Sequence, residues 1–300
     1  MTTHSKIGRQ NRRVRIPVWD PFLRLFHWSL VAAIATAAAT GFLAGAPWVD
    51  VHIWAGVAAA GLVLLRIIWG LLGTPHARFG DFVAGPSKIL AHFRELCTGT
   101  AERHLGHNPL GGAMVVLLLL TIITIAAAGV VVLGGTLKAG PLAFATSFAD
   151  GRQAREIHKI LSLFLLGLIA LHLGGVFVES RRTRENLVRA MIDGKKEAPA
   201  AAPIPVERKS HPLLASLIAV VLLAAAAGTL WSLAAKPGLG VPTRALDPTY
   251  VEECAACHVA YHPSLLPRAS WAALMAGLDD HFGENASLDS ATTAEIAGHL

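Results

Sequence analysis

Five long apolar runs dominate this 300-residue chain and fix what it can fold into. A helix needs roughly 20 predominantly apolar residues to cross about 30 Å of hydrocarbon. The runs extend from Leu25 to about Trp48, His52 to Gly73, Leu110 to Gly135, His158 to about Val178, and Leu213 to Ala235. The first, third and fifth hold no Lys, Arg, Asp or Glu, Arg66 alone interrupts the second, and Lys159 edges the fourth. None alternates apolar with polar residues, which argues against a β-barrel and predicts an all-α membrane protein. Hydrophobic residues make up 53% of the chain and charged residues 15%. That is too little charge for a fully aqueous surface, which excludes disordered, collagen-like and ordinary cytosolic chains.

The net charge of +6 does not form one patch, so nucleic acid is not an expected partner. Lys and Arg fall between the apolar runs and set orientation instead. The 1–24 arm, the 74–109 loop and the 179–211 segment carry 18 of them, against 6 in the connections of the other face. The N-terminus is therefore expected in the cytoplasm and the tail beyond Lys236 on the outer face. Trp19, Trp28, Trp48, Trp54, Trp69 and Trp231 lie near span ends, as an interfacial belt requires. Ala44-Gly45-Ala46 resembles a signal cleavage site, but 24 uncharged residues are long for a signal core, so the first span is expected to stay.

Histidine inside a span points to function. His27 lies near the cytoplasmic start of the first span, while His52 and His158 open the second and fourth on the outer side. His172 follows His158 by 14 residues, about 21 Å along a helix and about 40° short of four full turns, so both project from nearly one face. Two pairs at matched depth result: His27 with His172 near the cytoplasm, and His52 with His158 near the outer face. A lone histidine at a span end ordinarily meets water or headgroups, but four in complementary pairs suit two haems, each clamped by two imidazoles. Bis-imidazole ligation leaves no open position and favours electron transfer over oxygen chemistry. Arg66 reads either as a partner for a haem propionate or quinone, or as a snorkelling side chain. His107-Asn108-Pro109 reads as a helix entry. His76, His92 and His104 lie in a loop without evident partners, and Cys97 is a lone thiol.

Val18-Trp19-Asp20-Pro21 leading to Arg24-Leu25-Phe26-His27-Trp28 resembles the first helix of prokaryotic cytochrome b561-type proteins, relatives of the b-type cytochrome subunits of nickel–iron hydrogenases. The likeness continues through His52-Ile53-Trp54-Ala55-Gly56, Arg66-Ile67-Ile68-Trp69-Gly70, Gly106-His107-Asn108-Pro109-Leu110-Gly111, His158 and His172, and covers about 15–196. It implies a four-helix bundle with two b haems, electron exchange with membrane quinone, and His27, His52, His158 and His172 as ligands.

The tail holds Cys254-Ala255-Ala256-Cys257-His258, the attachment sequence for c-type haem: two thiols bond the vinyl groups and the histidine ligates iron. There is no second Cys pair for zinc and no strand–helix pattern for a thioredoxin-like site. Haem c is attached on the outer side of bacterial membranes, the face that charge counting gives the tail. Candidates for the sixth ligand are His262, Met275, His281 and His299. His262 is too near His258 to reach the opposite haem face, and Met275 can simply pack on a helix expected at Ser270–Leu278. His281, on a Phe282-Gly283 turn, is favoured. This region, about 250–300, resembles the dihaem cytochrome c family, but it has one Cys-x-x-Cys-His site where that family has two, and it stops at Ala297-Gly298-His299-Leu300 within an expected helix, so either the domain is shortened or the chain is incomplete.

The expected organisation is a cytoplasmic arm (1–24), a four-helix cytochrome b bundle (25–194), a linker (195–211), a fifth transmembrane helix (212–235) and a small helical periplasmic c-type haem domain (236–300). The expected function is electron transfer in the bacterial inner membrane between quinone or quinol and a soluble periplasmic carrier or cytochrome. Its cofactors are two haem b and one haem c. The acidic tail, eight acids against three bases, expects a basic, salt-sensitive partner face. Two alternatives stand beside it: a superoxide oxidase or ferric reductase with a cationic mouth from Lys138, Arg152 and Arg155, and a cytochrome b anchor for a larger dehydrogenase or hydrogenase. The lipid bilayer is a partner in each, and a homodimer is compatible with all of them.

Overall fold

The computed structural model describes residues 13–199 and 210–300, in two compact units, up to Gly238 and from Leu239. The first unit opens on strand β1 (Arg13–Pro17), followed by helices α1 (Pro21–Phe42) and α2 (Val49–Leu72), joined through a 3₁₀ turn at Ala46–Trp48. A short helix α3 (Pro86–Thr98) precedes α4 (Pro109–Thr136), α5 (Phe148–Thr183) and α6 (Leu187–Asp193). Strand β2 (Lys195–Pro199) and helix α7 (Pro212–Ala234) complete the unit. Five helices among the described residues are long and apolar enough to cross a membrane, in agreement with the expected all-α membrane fold.

Three of the five spans, α1, α4 and α5, start at a side-chain cap. Asp20 accepts from Leu23 N at 2.8 Å with Pro21 opening α1, and Asn108 accepts from Gly111 N at 2.7 Å with Pro109 opening α4. Both use the side-chain oxygen to satisfy a first-turn N–H, and both place proline where no donor is needed. Helix α5 begins ten residues before the span expected from hydropathy. Its start is a capping box between Ser147 and Asp150 (Asp150 N to Ser147 Oγ 3.1 Å), which extends a polar first part out of the apolar run. At 36 residues it is about 54 Å long, well beyond the hydrocarbon thickness.

The helices pair as two hairpins, α1 with α2 and α4 with α5. The second is the tighter, because Gly134 and Gly135 leave room for the facing chain. A Cβ on Gly135 would stand 2.5 Å from Gly151 Cα, and one on Gly134 would stand 2.6 Å from Thr146 Oγ1. Small residues let helix backbones approach closely where lipid supplies no hydrophobic drive. Leu23, Phe26, Ala59, Val63, Leu119, Ile122 and Leu165 form the buried centre shared by all four helices. Helix α7 packs on α2, with His211 N donating to Leu72 O at 3.2 Å and Ala215 buried.

Two departures from the expected organisation lie at one end of the bundle. Residues 195–199, read as the start of a linker, pair antiparallel with β1, itself within the arm, and Arg15 stands opposite Glu197. Gly194 turns into this ribbon at φ +79°, and its carbonyl accepts from both Val18 N and Trp19 N. Residues 200–209 of the expected linker lie outside the described residues. The 74–109 segment is not all loop, since α3 forms there and carries His92 buried, its ring 5.3 Å from that of His104.

The second unit contains α8 (Pro248–Cys254), α9 (Arg268–Ala276) and α10 (Ser290–His299). Helix α9 closely matches the helix expected at Ser270–Leu278. Tyr250, Trp271 and Ile296 are its buried centre. Tyr250 Oη donates to Tyr261 O at 2.7 Å and ties the chain after the Cys-x-x-Cys-His sequence back to α8.

Candidate haem-binding sites

His52 and His158 face one another across the two hairpins, at the end opposite the ribbon. Their ring centroids are 6.0 Å apart. His52 Nδ1 lies 2.9 Å from Ala37 O on α1, and His158 Nδ1 lies 3.0 Å from Ile125 O on α4. A carbonyl can only accept, so each Nδ1 carries the proton and each Nε2 keeps its lone pair, the tautomer a metal requires. With metal–nitrogen bonds of about 2.0–2.1 Å, two imidazoles bonded on opposite sides of one ion have centroids roughly 6 Å apart. The separation and the carbonyl bonds therefore fit a bis-imidazole haem. Each ring is also backed by a glycine of its own hairpin. A Cβ on Gly41 would stand 3.0 Å from His52 Cε1, and one on Gly129 would stand 3.3 Å from His158 Cε1.

The other two histidines lie at the ribbon end. His27 Nδ1 is buried without a hydrogen-bond partner, and its ring meets Trp28 edge-on at 5.1 Å. His172, half-buried on α5, acts electrostatically on it. A buried polar atom without a partner is costly, so His27 leaves this end of the bundle with an unmet demand for a bound group. Around them lie two groups of unexpected character. Arg66 does not snorkel: it is 2% exposed, with its guanidinium over the Phe79 ring at 4.9 Å. His107 sits between Trp19 (4.8 Å) and Phe82 (4.6 Å). Burial, followed by the Arg66 and Lys196 charges, pushes its pKa from 6.5 down to about 3.

In the second unit His258 and His281 stack at 6.1 Å between centroids and 29° between planes. His281 is presented by a tight turn in which Phe282 and Gly283 have φ of +56° and +93° and Glu284 closes a backbone bridge to it. Cys254 ends α8 and Cys257 is exposed, neither in a disulfide, and burial, helped by Glu253, pushes the Cys254 thiol up. Val259 and Phe282, the chain neighbours of the stacked pair, are exposed apolar side chains of the kind a haem face covers. The other two histidine candidates are differently engaged. His299 Nε2 accepts from Asp247 N at 3.3 Å, and His262 Nδ1 accepts from Ser264 N at 3.2 Å.

Sequence reasoning overlooks the carbonyls of Ala37 and Ile125 and the backing glycines Gly41 and Gly129. A glycine amid the alanines and leucines of a span was the available signal. Among the described residues no cluster of three or more His, Cys, Asp or Glu is arranged to hold a bare metal ion.

Five apolar spans around facing histidines define a multi-pass membrane cytochrome, and the comparisons with known proteins agree. Residues 18–194 match the family model described as prokaryotic cytochrome b561, and the chain belongs to that family of haem-containing membrane electron-transport proteins. Residues 250–300 match the model described as dihaem cytochrome c. A probable Ni/Fe-hydrogenase B-type cytochrome subunit of Azotobacter chroococcum mcd 1 is 22% identical over 215 residues, which span 61% of this chain and 89% of that relative. A protein of the same description from Azotobacter vinelandii is 27% identical over 125 residues, 33% of this chain and 51% of the relative.

Proposed function

We propose that this cytochrome transfers electrons between membrane quinone and a soluble carrier, using two haem b and one haem c. His52 with His158 and His27 with His172 hold the b haems, Cys254 and Cys257 bond the c haem, and His258 and His281 ligate its iron. Haem iron held by these imidazoles would supply reversible one-electron exchange. The chain's own part is to fix the imidazoles: Ala37 O and Ile125 O set the tautomer and orientation of His52 and His158 before any ligand arrives. The observation that carries the reading is their 6.0 Å separation with both Nδ1 atoms engaged. In this reading the arm to residue 24, the bundle to 194, the linker to 211, the fifth helix to 235 and the tail from 236 are the working parts. The N-terminus lies in the cytoplasm and the tail in the periplasm of a bacterial inner membrane. A homodimer is compatible with it.

The test is to add a short-chain benzoquinol to the purified protein in vesicles, with a soluble c-type cytochrome outside. Reduction of the b and c bands followed by reduction of the added cytochrome is expected. Bands that stay oxidised while dithionite reduces them would remove quinone from the reading.

A second reading, a cytochrome b anchor for a larger enzyme, is favoured by the printed description of both Azotobacter relatives. It predicts co-purification of a metal-cluster subunit. The superoxide oxidase or ferric reductase alternative needs a cationic mouth. Lys138 instead donates to Thr146 O at 2.9 Å, and Glu156 stands beside Arg152 and Arg155 on the exposed start of α5, so that mouth is of mixed sign.

A further inference from the structure

Arg66 repeats on α2 the relation that His172 has on α5. It follows His52 by 14 residues as His172 follows His158, and α2 and α5 run the same way from the facing His52–His158 pair. The guanidinium therefore lies at the depth of His172, about 21 Å from the first pair and on the same side of its helix as His52. Its side chain is 2% exposed, and neither Nη1 nor Nη2 has a hydrogen-bond partner. Aromatic faces flank it, Phe79 at 4.9 Å and Phe82 at 5.9 Å, but supply no acceptor. The carboxylate acting on it is Asp20, whose oxygens already accept from Leu23 N (2.8 Å), Trp69 Nε1 (3.1 Å) and Thr74 Oγ1 (2.5 Å). A buried guanidinium with two open donors requires an anion, since a neutral carbonyl would leave its charge uncompensated. Arg is the side chain whose paired N–H groups best match a carboxylate.

We propose that Arg66 binds a propionate carboxylate of the haem held by His27 and His172, and that its charge holds that haem's midpoint potential above the value it would otherwise have. This rests on the haem reading given above. A positive charge beside the haem favours the form carrying the extra electron, so removing it lowers the potential.

The experiment uses the full chain carrying His158→Ala, which leaves the His27–His172 haem as the b haem to be titrated. Arg66→Met keeps the volume and removes the charge. It is expected to lower that midpoint by at least about 59 mV, a tenfold change in a one-electron equilibrium, and Arg66→Lys is expected to recover much of it. An unmoved midpoint at full haem content in Arg66→Met overturns the proposal. A second measurement does not depend on a variant folding. The haem-depleted protein with native Arg66 should take up protohaem at least tenfold more tightly than its dimethyl ester, and equal uptake overturns the proposal. Adding His172→Ala keeps the two levels apart. Persistence of that b haem in the double variant would bring down the haem reading, whereas an unmoved potential removes only the role of Arg66.

Discussion

At the scale of the residue, an imidazole that donates from Nδ1 to a backbone carbonyl has one nitrogen left to offer and one orientation in which to offer it. His52→Ala or His158→Ala should halve the b-haem content and leave the remaining b haem in place, read from pyridine haemochrome spectra. Loss of both b haems, or of neither, contradicts the pairing. Gly41→Val should act on the same haem, because its Cβ would stand 3.0 Å from His52 Cε1 before any further methyl is added. His107 gives the pH prediction. Its pKa falls from 6.5 in the unfolded chain to about 3 in the fold, so the unfolded state binds the extra proton between those values. Stability is full above about pH 6.5 and falls as pH drops towards 3. His107→Phe, an aromatic ring between Trp19 and Phe82, should flatten that decline in thermal unfolding curves taken from pH 7 to pH 4. An unchanged slope would assign the acid sensitivity to other groups. The four histidines proposed as haem ligands stand out in the sequence because nearly charge-free runs make any polar ring conspicuous and a 14-residue spacing fixes a face. Arg66 is harder to read. Its burial depends on Phe79 and Phe82 closing over it from the segment that follows α2, which no local pattern reveals.

At the scale of the element, the bundle depends on contacts a hydropathy profile does not register. Gly135 and Gly151 bring α4 and α5 so close that a Cβ at Gly135 would be 2.5 Å from backbone. Gly135→Leu should part the helices at a cost of about 1–3 kcal/mol, seen as a lower thermal midpoint in detergent. A midpoint at or above that of the parent would show that the close approach is dispensable. In the tail, His281→Ala should leave haem covalently attached through Cys254 and Cys257 but open its sixth position, giving a high-spin spectrum that added imidazole restores. A low-spin spectrum without imidazole would point to another ligand. The span cores are read correctly from apolar length alone, while the start of α5 and the ribbon are not. Arg152, Arg155 and Glu156 take the first turns of α5 out of any apolar window, and its beginning is set by Ser147 and Asp150. The ribbon pairs Arg13–Pro17 with Lys195–Pro199 across most of the first unit; the first alternates Arg with Val and Ile over only five residues, and the second, Lys-Lys-Glu-Ala-Pro, does not alternate at all. What holds it is non-local: the Gly194 carbonyl accepting two N–H groups, the Arg15–Asp193 pair, and Lys196 laid over Trp19 at 5.6 Å.

At the scale of the whole molecule, a family of membrane cytochromes supplies the bundle and a second family model matches the tail. The two matches stand in one chain, and the account stands or falls on what each unit binds. The most direct measurement is a redox difference spectrum with pyridine haemochrome quantification on the purified full-length protein, before and after acid–acetone extraction. Two extractable b haems and one covalent c haem per chain are predicted. Covalent haem without b haem would contradict the four-histidine reading and reduce the five spans to an anchor for a small cytochrome c.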